Sequence, residues 1–376
     1  MINTILFDVD GVLLSEERYF DASALTVWEM LMSPNYLGLS PEQFTTSPSD
    51  EEINKIRATV FQHDKVLTFQ KSRGLNANWD MIYLSFCHQL IHLFSQIKDH
   101  ELEKISKWCQ APIDRDVLIE IGRILRQYDV VLDFSKFVPE FESSQAMKEE
   151  LFGHLNVLVK EKLGIETTAF AKGELWSVCE HACQEWYVGD EYIATSTGRP
   201  SVQTGKSGFL ANETTLAPVG KIAKLFQSLV SAGYTIGVGT GRPELETIQP
   251  FQHLAWLHYF DESRIVTADD VLRAEKSYPD YGHLAKPHHF SFLRALQGKG
   301  TPIKNCLETP LPLENGGEVL IVGDSLADLL AARAMGCQFA AVLTGLSGKA
   351  AREEFEEQQA DYILDSVIDV KDILYN

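Results

Sequence analysis

The order of apolar and polar positions divides this chain into two textures. Residues 2–8 are a short, mostly apolar run that stops abruptly at Asp8-Val9-Asp10-Gly11, the pattern of a buried strand. From about residue 15 to about 194 the apolar positions recur every three or four residues, the spacing that builds one face of a helix. Segments 20–31, 79–94, 117–128, 145–162 and 175–187 carry this period most clearly. Breaks fall at Ser33-Pro34, Ser47-Pro48, Gly74, Ala111-Pro112 and Gly164. Residues 195–214, rich in Gly, Ser, Thr and Pro, read as a loop or linker. Strand and helix patterns then alternate: a helix over 217–231, strands over 234–238 and 265–267, a strand over 318–322 with a helix over 325–335, and strands over 339–343 and 362–364.

Alternation of this length implies a parallel sheet covered by helices on both faces. The economical arrangement is a doubly wound α/β core of Rossmann-like type, made of residues 1–14 and 215–376, interrupted by a large all-helical insertion at 15–214 with a hinge near 195–214. The chain shows no internal repeat and no low-complexity tract.

In open parallel sheets ligands bind beyond the carboxyl ends of the strands, so chemistry is expected at those ends. The first strand ends in Asp8 and Asp10, two carboxylates that share a face at a spacing of two and repel each other unless a cation, a proton or chemistry relieves them. The strand at 234–239 ends in Thr240-Gly241-Arg242-Pro243, and the strand at 318–322 in Gly323-Asp324-Ser325-Leu326-Ala327-Asp328. Lys286-Pro287 lies in the connection between them. Carboxylates at two strand ends suit Mg²⁺, which takes oxygen ligands and keeps several waters. A carboxylate can also attack phosphorus while a second one acts as acid and then base. A hydroxyl, free N–H groups and an ammonium match the oxygens of a transferring phosphoryl group.

These four segments, in this order, resemble the haloacid dehalogenase superfamily over residues 1–14 and about 215–376. The resemblance implies that Asp8 is the nucleophile and a Mg²⁺ ligand, and that Asp10 is the acid/base and gives its backbone carbonyl to the metal. It implies that Thr240 and the Gly241 N–H hold phosphoryl oxygens, and that Lys286 neutralises charge on Asp8 and the phosphate. Asp324 would complete the metal site, and Asp328 would support it or pair with Lys286. Members that cleave carbon–halogen bonds lack a carboxylate two residues after the nucleophile, so Asp10 favours phosphate esters, whose poor alkoxide leaving group needs a proton. The insertion point resembles that of the subgroup with a mobile helical cap after the first strand, although about 200 inserted residues exceed the usual small bundle.

The expected function is therefore Mg²⁺-dependent hydrolysis of a small phosphorylated metabolite through an aspartyl-phosphate. A phosphomutase and a catalytically idle binding module are the alternatives. A formal net charge of −20 repels nucleic-acid phosphates and anionic membranes. No apolar run approaches a membrane span, and the N-terminus lacks a basic, then apolar, leader. Six scattered cysteines suit reduced thiols in a cytoplasmic protein better than a disulfide framework.

Several tempting motifs read more simply. Gly205-Lys206-Ser207 lacks the leading glycine of a phosphate-binding loop, because position 200 is Pro200, and reads as hinge. A second Thr-Gly-Arg-Pro at 197–200 follows no buried strand and reads as loop, and Arg242 in the first copy more often pairs locally than reaches substrate. His88 and His92, and Cys179 and Cys183 around His181, lack further metal ligands. Trp176 and Trp186 read as core of the insertion.

Overall fold

A strand paired in parallel on both sides is covered above and below, so it needs apolar side chains in both directions. Thr4–Phe7 (β1) and Val319–Gly323 (β4) meet that demand and are buried throughout. Thr235–Gly239 (β2), Ile265–Val266 (β3), Gln338–Val342 (β5) and Tyr362–Leu364 (β6) complete one six-stranded parallel sheet of order β3-β2-β1-β4-β5-β6. The computed structural model describes residues 1–75 and 77–374. Two compact units divide the chain, one of Met1–Glu16 with the chain from Leu210 onward, the other Glu17–Phe209.

The first unit holds the sheet. From β1 the chain builds outward through β2 and β3, then returns to the other side of β1 for β4, β5 and β6. Order therefore reverses between β1 and β4, and a crevice forms there at the carboxyl ends. The period of two is visible in the packing. Ile5 and Phe7 of β1, with Leu320 and Val322 of β4, join Phe226, Trp256 and Phe260 on one face. Leu6, with Val319 and Ile321, joins Phe290, Phe292, Leu329 and Met335 on the other. Each such fully buried side chain contributes about 1.5–3 kcal/mol. The strands lie within one or two residues of the sequence expectations, while helices Ala268–Ser277 and Phe290–Gln297 did not stand out in the pattern.

The second unit is helical. Its longest members are Glu17–Met32, Asn78–Trp108, Glu150–Leu163 and Glu174–Thr197. The helix expected over 79–94 runs on to Trp108, bending at Glu101. Asp50–Val60, which buries only Ile53 and Val60, is too polar to show an apolar stripe, and its start is fixed by a Ser49–Glu52 capping box. His88 Nε2 donates to the Glu140 carboxylate at 2.9 Å, all six cysteines are free and buried, and Trp176 donates to Asp80 at 2.7 Å.

Residues 199–209 differ from the expected flexible hinge, because they are fastened to helix Glu174–Thr197. Glu185 accepts the Val202 and Gln203 N–H groups at 2.7 and 3.2 Å, and Asp190 accepts Gly205 N–H at 2.6 Å. Gly189 and Gly208 let the two backbones cross, since a Cβ on Gly189 would stand 2.6 Å from the Ser207 carbonyl. Lys206 is fully buried and donates to Glu29 at 3.0 Å and to Glu185 at 2.7 Å. Two buried carboxylates thus share one ammonium. Burial would raise Glu185, but His181, Lys206 and the Val202 N–H outweigh it and hold it below the ordinary range. Glu29, with less support, is pushed by burial to about 7 against the pull of Lys206.

The two chain crossings at the edge of the sheet unit pair with each other. Ser15 N–H donates to Thr214 O at 2.8 Å, Leu216 N–H to Leu13 O at 3.1 Å, and Leu14 bridges Thr215 in antiparallel fashion. This small ladder keeps 15–16 and 210–214 with the sheet, so the insertion spans Glu17–Phe209 instead of 15–214.

Candidate active site

The register of β1 sets the first carboxylate. Phe7 pairs with Val238 on one side and Val322 on the other, and Asp8 N–H extends the ladder to Val322 O at 2.9 Å. Asp8 is therefore held at the mouth of the crevice with its side chain 12% exposed. Its Oδ1 accepts the Val9 N–H at 2.8 Å and lies 2.9 Å from Lys286 Nζ. Lys286 Nζ is also 2.7 Å from Asp328 Oδ1 and sits over the Phe292 ring. Burial alone would lower Lys286, but Asp328 and Asp8 override it and keep the ammonium charged.

Asp328 is placed by a helix start. Ser325 caps Leu326–Met335, accepting the Asp328 N–H at 3.3 Å and donating its hydroxyl to Asp328 Oδ2 at 2.6 Å. One oxygen of this wholly buried carboxylate is thus tied to Ser325 and the other to Lys286.

Asp8, Asp324 and Asp328 each bring a carboxylate oxygen within 4.8 Å of the others. Burial raises Asp8 to about 6 and Asp324 well above its ordinary value, and the neighbouring carboxylates add to both shifts. Such a group is what a hard divalent cation relieves, and the donors, all oxygen, fit Mg²⁺. Space around Asp324 is shaped by glycine: a Cβ on Gly11 would lie 2.1 Å from its Oδ2, and one on Gly345 2.0 Å from the same atom. Thr344, just before, donates its hydroxyl to Gly11 O at 2.6 Å. The sequence pattern gave no reason to expect a residue from the end of β5, where Thr344-Gly345 was the available signal.

The Asp10 side chain does not join that trio. It faces Arg242, whose Nε is 3.1 Å from Asp10 Oδ1. Arg242 Nη2 donates to Glu213 Oε1 at 2.7 Å, and Arg242 and Glu213 side chains are both 1% exposed. Burial pushes Asp10 to about 7, against Arg242, and Asp8, Glu16 and Glu213 add to the rise, although 31% of the side chain still meets solvent. Thr240 follows β2, buried, with its N–H on Val266 O at 3.0 Å and its Oγ1 accepting the Arg242 N–H at 3.1 Å. Gly241 is exposed and faces open space where a Cβ would stand, which leaves room for a ligand's oxygens against the backbone. Glu213, in the linker texture, had no sequence signal, since only the fold sets it against Arg242.

Comparisons with known proteins bear on this arrangement. A family model described as HAD-hydrolase-like matches residues 283–370, the part that contains Lys286, Asp324 and Asp328. An X-ray structure from the Northeast Structural Genomics Consortium is 36% identical, with a TM-score of 0.93, over 100% of this chain and 99% of that one. A crystal structure of a predicted phosphoglycolate phosphatase from Haemophilus somnus 129PT is 14% identical, with a TM-score of 0.43, over 99% of this chain and 98% of that one. A search of curated proteins gives no match. Among the described residues no helix is long and apolar enough to cross a membrane.

Proposed function

The chain belongs to the haloacid dehalogenase superfamily, and on that footing we propose that it is a Mg²⁺-dependent phosphatase hydrolysing a small phosphate ester through an aspartyl-phosphate. The observation that carries this reading is the ammonium of Lys286 held 2.9 Å from Asp8 and 2.7 Å from Asp328 at the switch point of the sheet. The Val9 N–H and Lys286 both meet Asp8 at Oδ1, which leaves Oδ2 to attack phosphorus. As that bond forms, the ester P–O bond breaks and Asp10 gives its proton to the leaving oxygen. Asp10 then takes a proton from water as the water oxygen attacks the phosphorus, releasing phosphate and the Asp8 carboxylate. Thr240 and the Gly241 N–H would bind phosphoryl oxygens, and Lys286 would offset the charge that builds on them. Asp8, Asp324 and the Asp10 backbone carbonyl would hold Mg²⁺, with Asp328 behind them, and the ion, when bound, supplies further positive charge to the phosphoryl oxygens.

The substrate is proposed to be a small metabolite, not nucleic acid, given the net charge of −20. Free, buried cysteines accord with the proposed cytoplasmic setting. The test is phosphate release from a panel of phosphorylated metabolites and an aryl phosphate, with and without Mg²⁺, for the native chain and Asp8→Asn. Native turnover that needs Mg²⁺ and disappears in Asp8→Asn supports the reading. Unchanged turnover in Asp8→Asn would sink it, and a product whose phosphate has moved, with little free phosphate, would turn it into a mutase.

A further inference from the structure

The tetrapeptide Thr-Gly-Arg-Pro occurs twice, and the two arginines meet opposite fates. Arg199 is exposed on the insertion, after the last turn of helix Glu174–Thr197. Arg242 is 2% exposed in the sheet unit, between two acids. Its Nη2 donates to Glu213 Oε1 at 2.7 Å, and its Nε lies 3.1 Å from Asp10 Oδ1 in an ion pair. The arginine backbone is fixed as well: its N–H donates to Thr240 Oγ1 at 3.1 Å and its carbonyl accepts the Ala268 N–H at 2.9 Å. A guanidinium held through its backbone and by Glu213 presents a fixed positive charge against which a neighbouring carboxylate settles.

The three partners come from three places. Asp10 follows β1, Arg242 follows β2, and Glu213 lies on the returning crossing, next to the Thr214 and Thr215 backbone that pairs with Leu14 and Ser15. Asp10 is a partly exposed carboxylate in a turn, bridged to Leu14, with its side chain against Arg242. We propose that Arg242, oriented by Glu213, is a positioning residue that aims the Asp10 carboxylate at the leaving-group oxygen, so that the returning crossing of the chain helps to set the geometry of proton delivery. The inference rests on the reading of Asp10 as proton donor. It assigns a role to Arg242 and Glu213 and not to any phosphate contact.

A positioning role has a signature that a structural ion pair lacks. 2,4-Dinitrophenoxide departs without a proton, whereas a phenoxide or alkoxide needs one, so misplacing the acid penalises only the poorer leaving groups. With the full chain and saturating Mg²⁺, Arg242→Gln is expected to lose about 100-fold in kcat on phenyl phosphate and at least tenfold less on 2,4-dinitrophenyl phosphate, with KM little changed. Arg242→Gln alone removes the cation beside buried Glu213 and partly exposed Asp10, so the double variant Arg242→Gln/Glu213→Gln, which removes the buried charge, keeps the test open should the single variant unfold. Arg242→Lys retains the charge but not the fork and is expected to restore only part of the loss. Arg199→Gln, the matched change in the exposed copy, should leave both esters at native rates. Equal losses on both esters, or a loss confined to KM, overturn the positioning role. The Asp8→Asn variant separates the two claims: if it is dead on both esters while Arg242→Gln falls equally on both, the phosphatase reading stands and this inference falls.

Discussion

Replacing Glu29 by glutamine is expected to change the pH dependence of stability more than stability itself. Glu29 is fully buried beside Lys206, and burial raises it from the ordinary 4.5 to about 7, against the attraction of Lys206. Below about pH 4.5 the group is protonated in both folded and unfolded chains, and the fold has its full contribution. Between 4.5 and 7 the unfolded chain ionises while the folded one keeps its proton, so stability falls as pH rises, and the decline ends above about 7. A shift of 2.5 units at 1.36 kcal/mol each corresponds to about 3 kcal/mol. Glutamine keeps an acceptor for Lys206 and has nothing to ionise. The variant should therefore match the native chain near pH 5 and exceed it by about 2–3 kcal/mol at pH 8. Urea unfolding at half-unit steps from pH 5 to 8, read by tryptophan fluorescence, checks this, and a midpoint difference growing to about 1 M is expected. The difference curve isolates Glu29 from Glu140, which burial would raise but which His88 and Lys162 hold near 2, and from the histidines. A flat difference across that range, or a variant less stable at pH 8, refutes the assignment of the proton to Glu29.

Two further outcomes concern the sheet unit. Lys286→Met removes the ammonium at 2.9 Å from Asp8 and 2.7 Å from Asp328, and a loss of about 3–4 kcal/mol in transition-state stabilisation, 10²–10³ in kcat, is expected, with native-like turnover as the contrary result. Gly345→Ala would put a methyl 2.0 Å from Asp324 Oδ2 and force that carboxylate aside, so the Mg²⁺ concentration for half-maximal turnover should rise about 10-fold or more; an unchanged Mg²⁺ requirement counts against Asp324 as a ligand.

Much of the site was legible because its residues stand at strand ends, where short apolar runs are easy to see and the chemistry comes immediately after them. Asp8, Thr240, Asp324 and Asp328 are read in this way, and Lys286, in a loop, through its place in the motif order. Arg242 was legible as an arginine that pairs locally, but not as the partner of Asp10 and Glu213. The lock on 199–209 was hidden for a related reason. Gly, Ser, Thr and Pro permit a flexible segment but do not require one, and a single lysine in such a run looks solvated until its two acids are in place.

Local pattern along the chain was enough to establish the strands of the sheet, their interruption by a helical insertion and the set of groups proposed to serve phosphoryl chemistry. Each of these depends on neighbours in sequence: the period of a segment, its length and the residues just beyond a strand. Packing set the strand order, the crevice between β1 and β4, and which charge faces which. It turned the Asp10 side chain away from the trio of Asp8, Asp324 and Asp328 toward Arg242, and it buried Lys206 between Glu29 and Glu185. Pairings of this kind join residues far apart in the chain, and a single sequence does not reveal them because burial and Coulomb interaction depend on distances that exist only once the chain has packed.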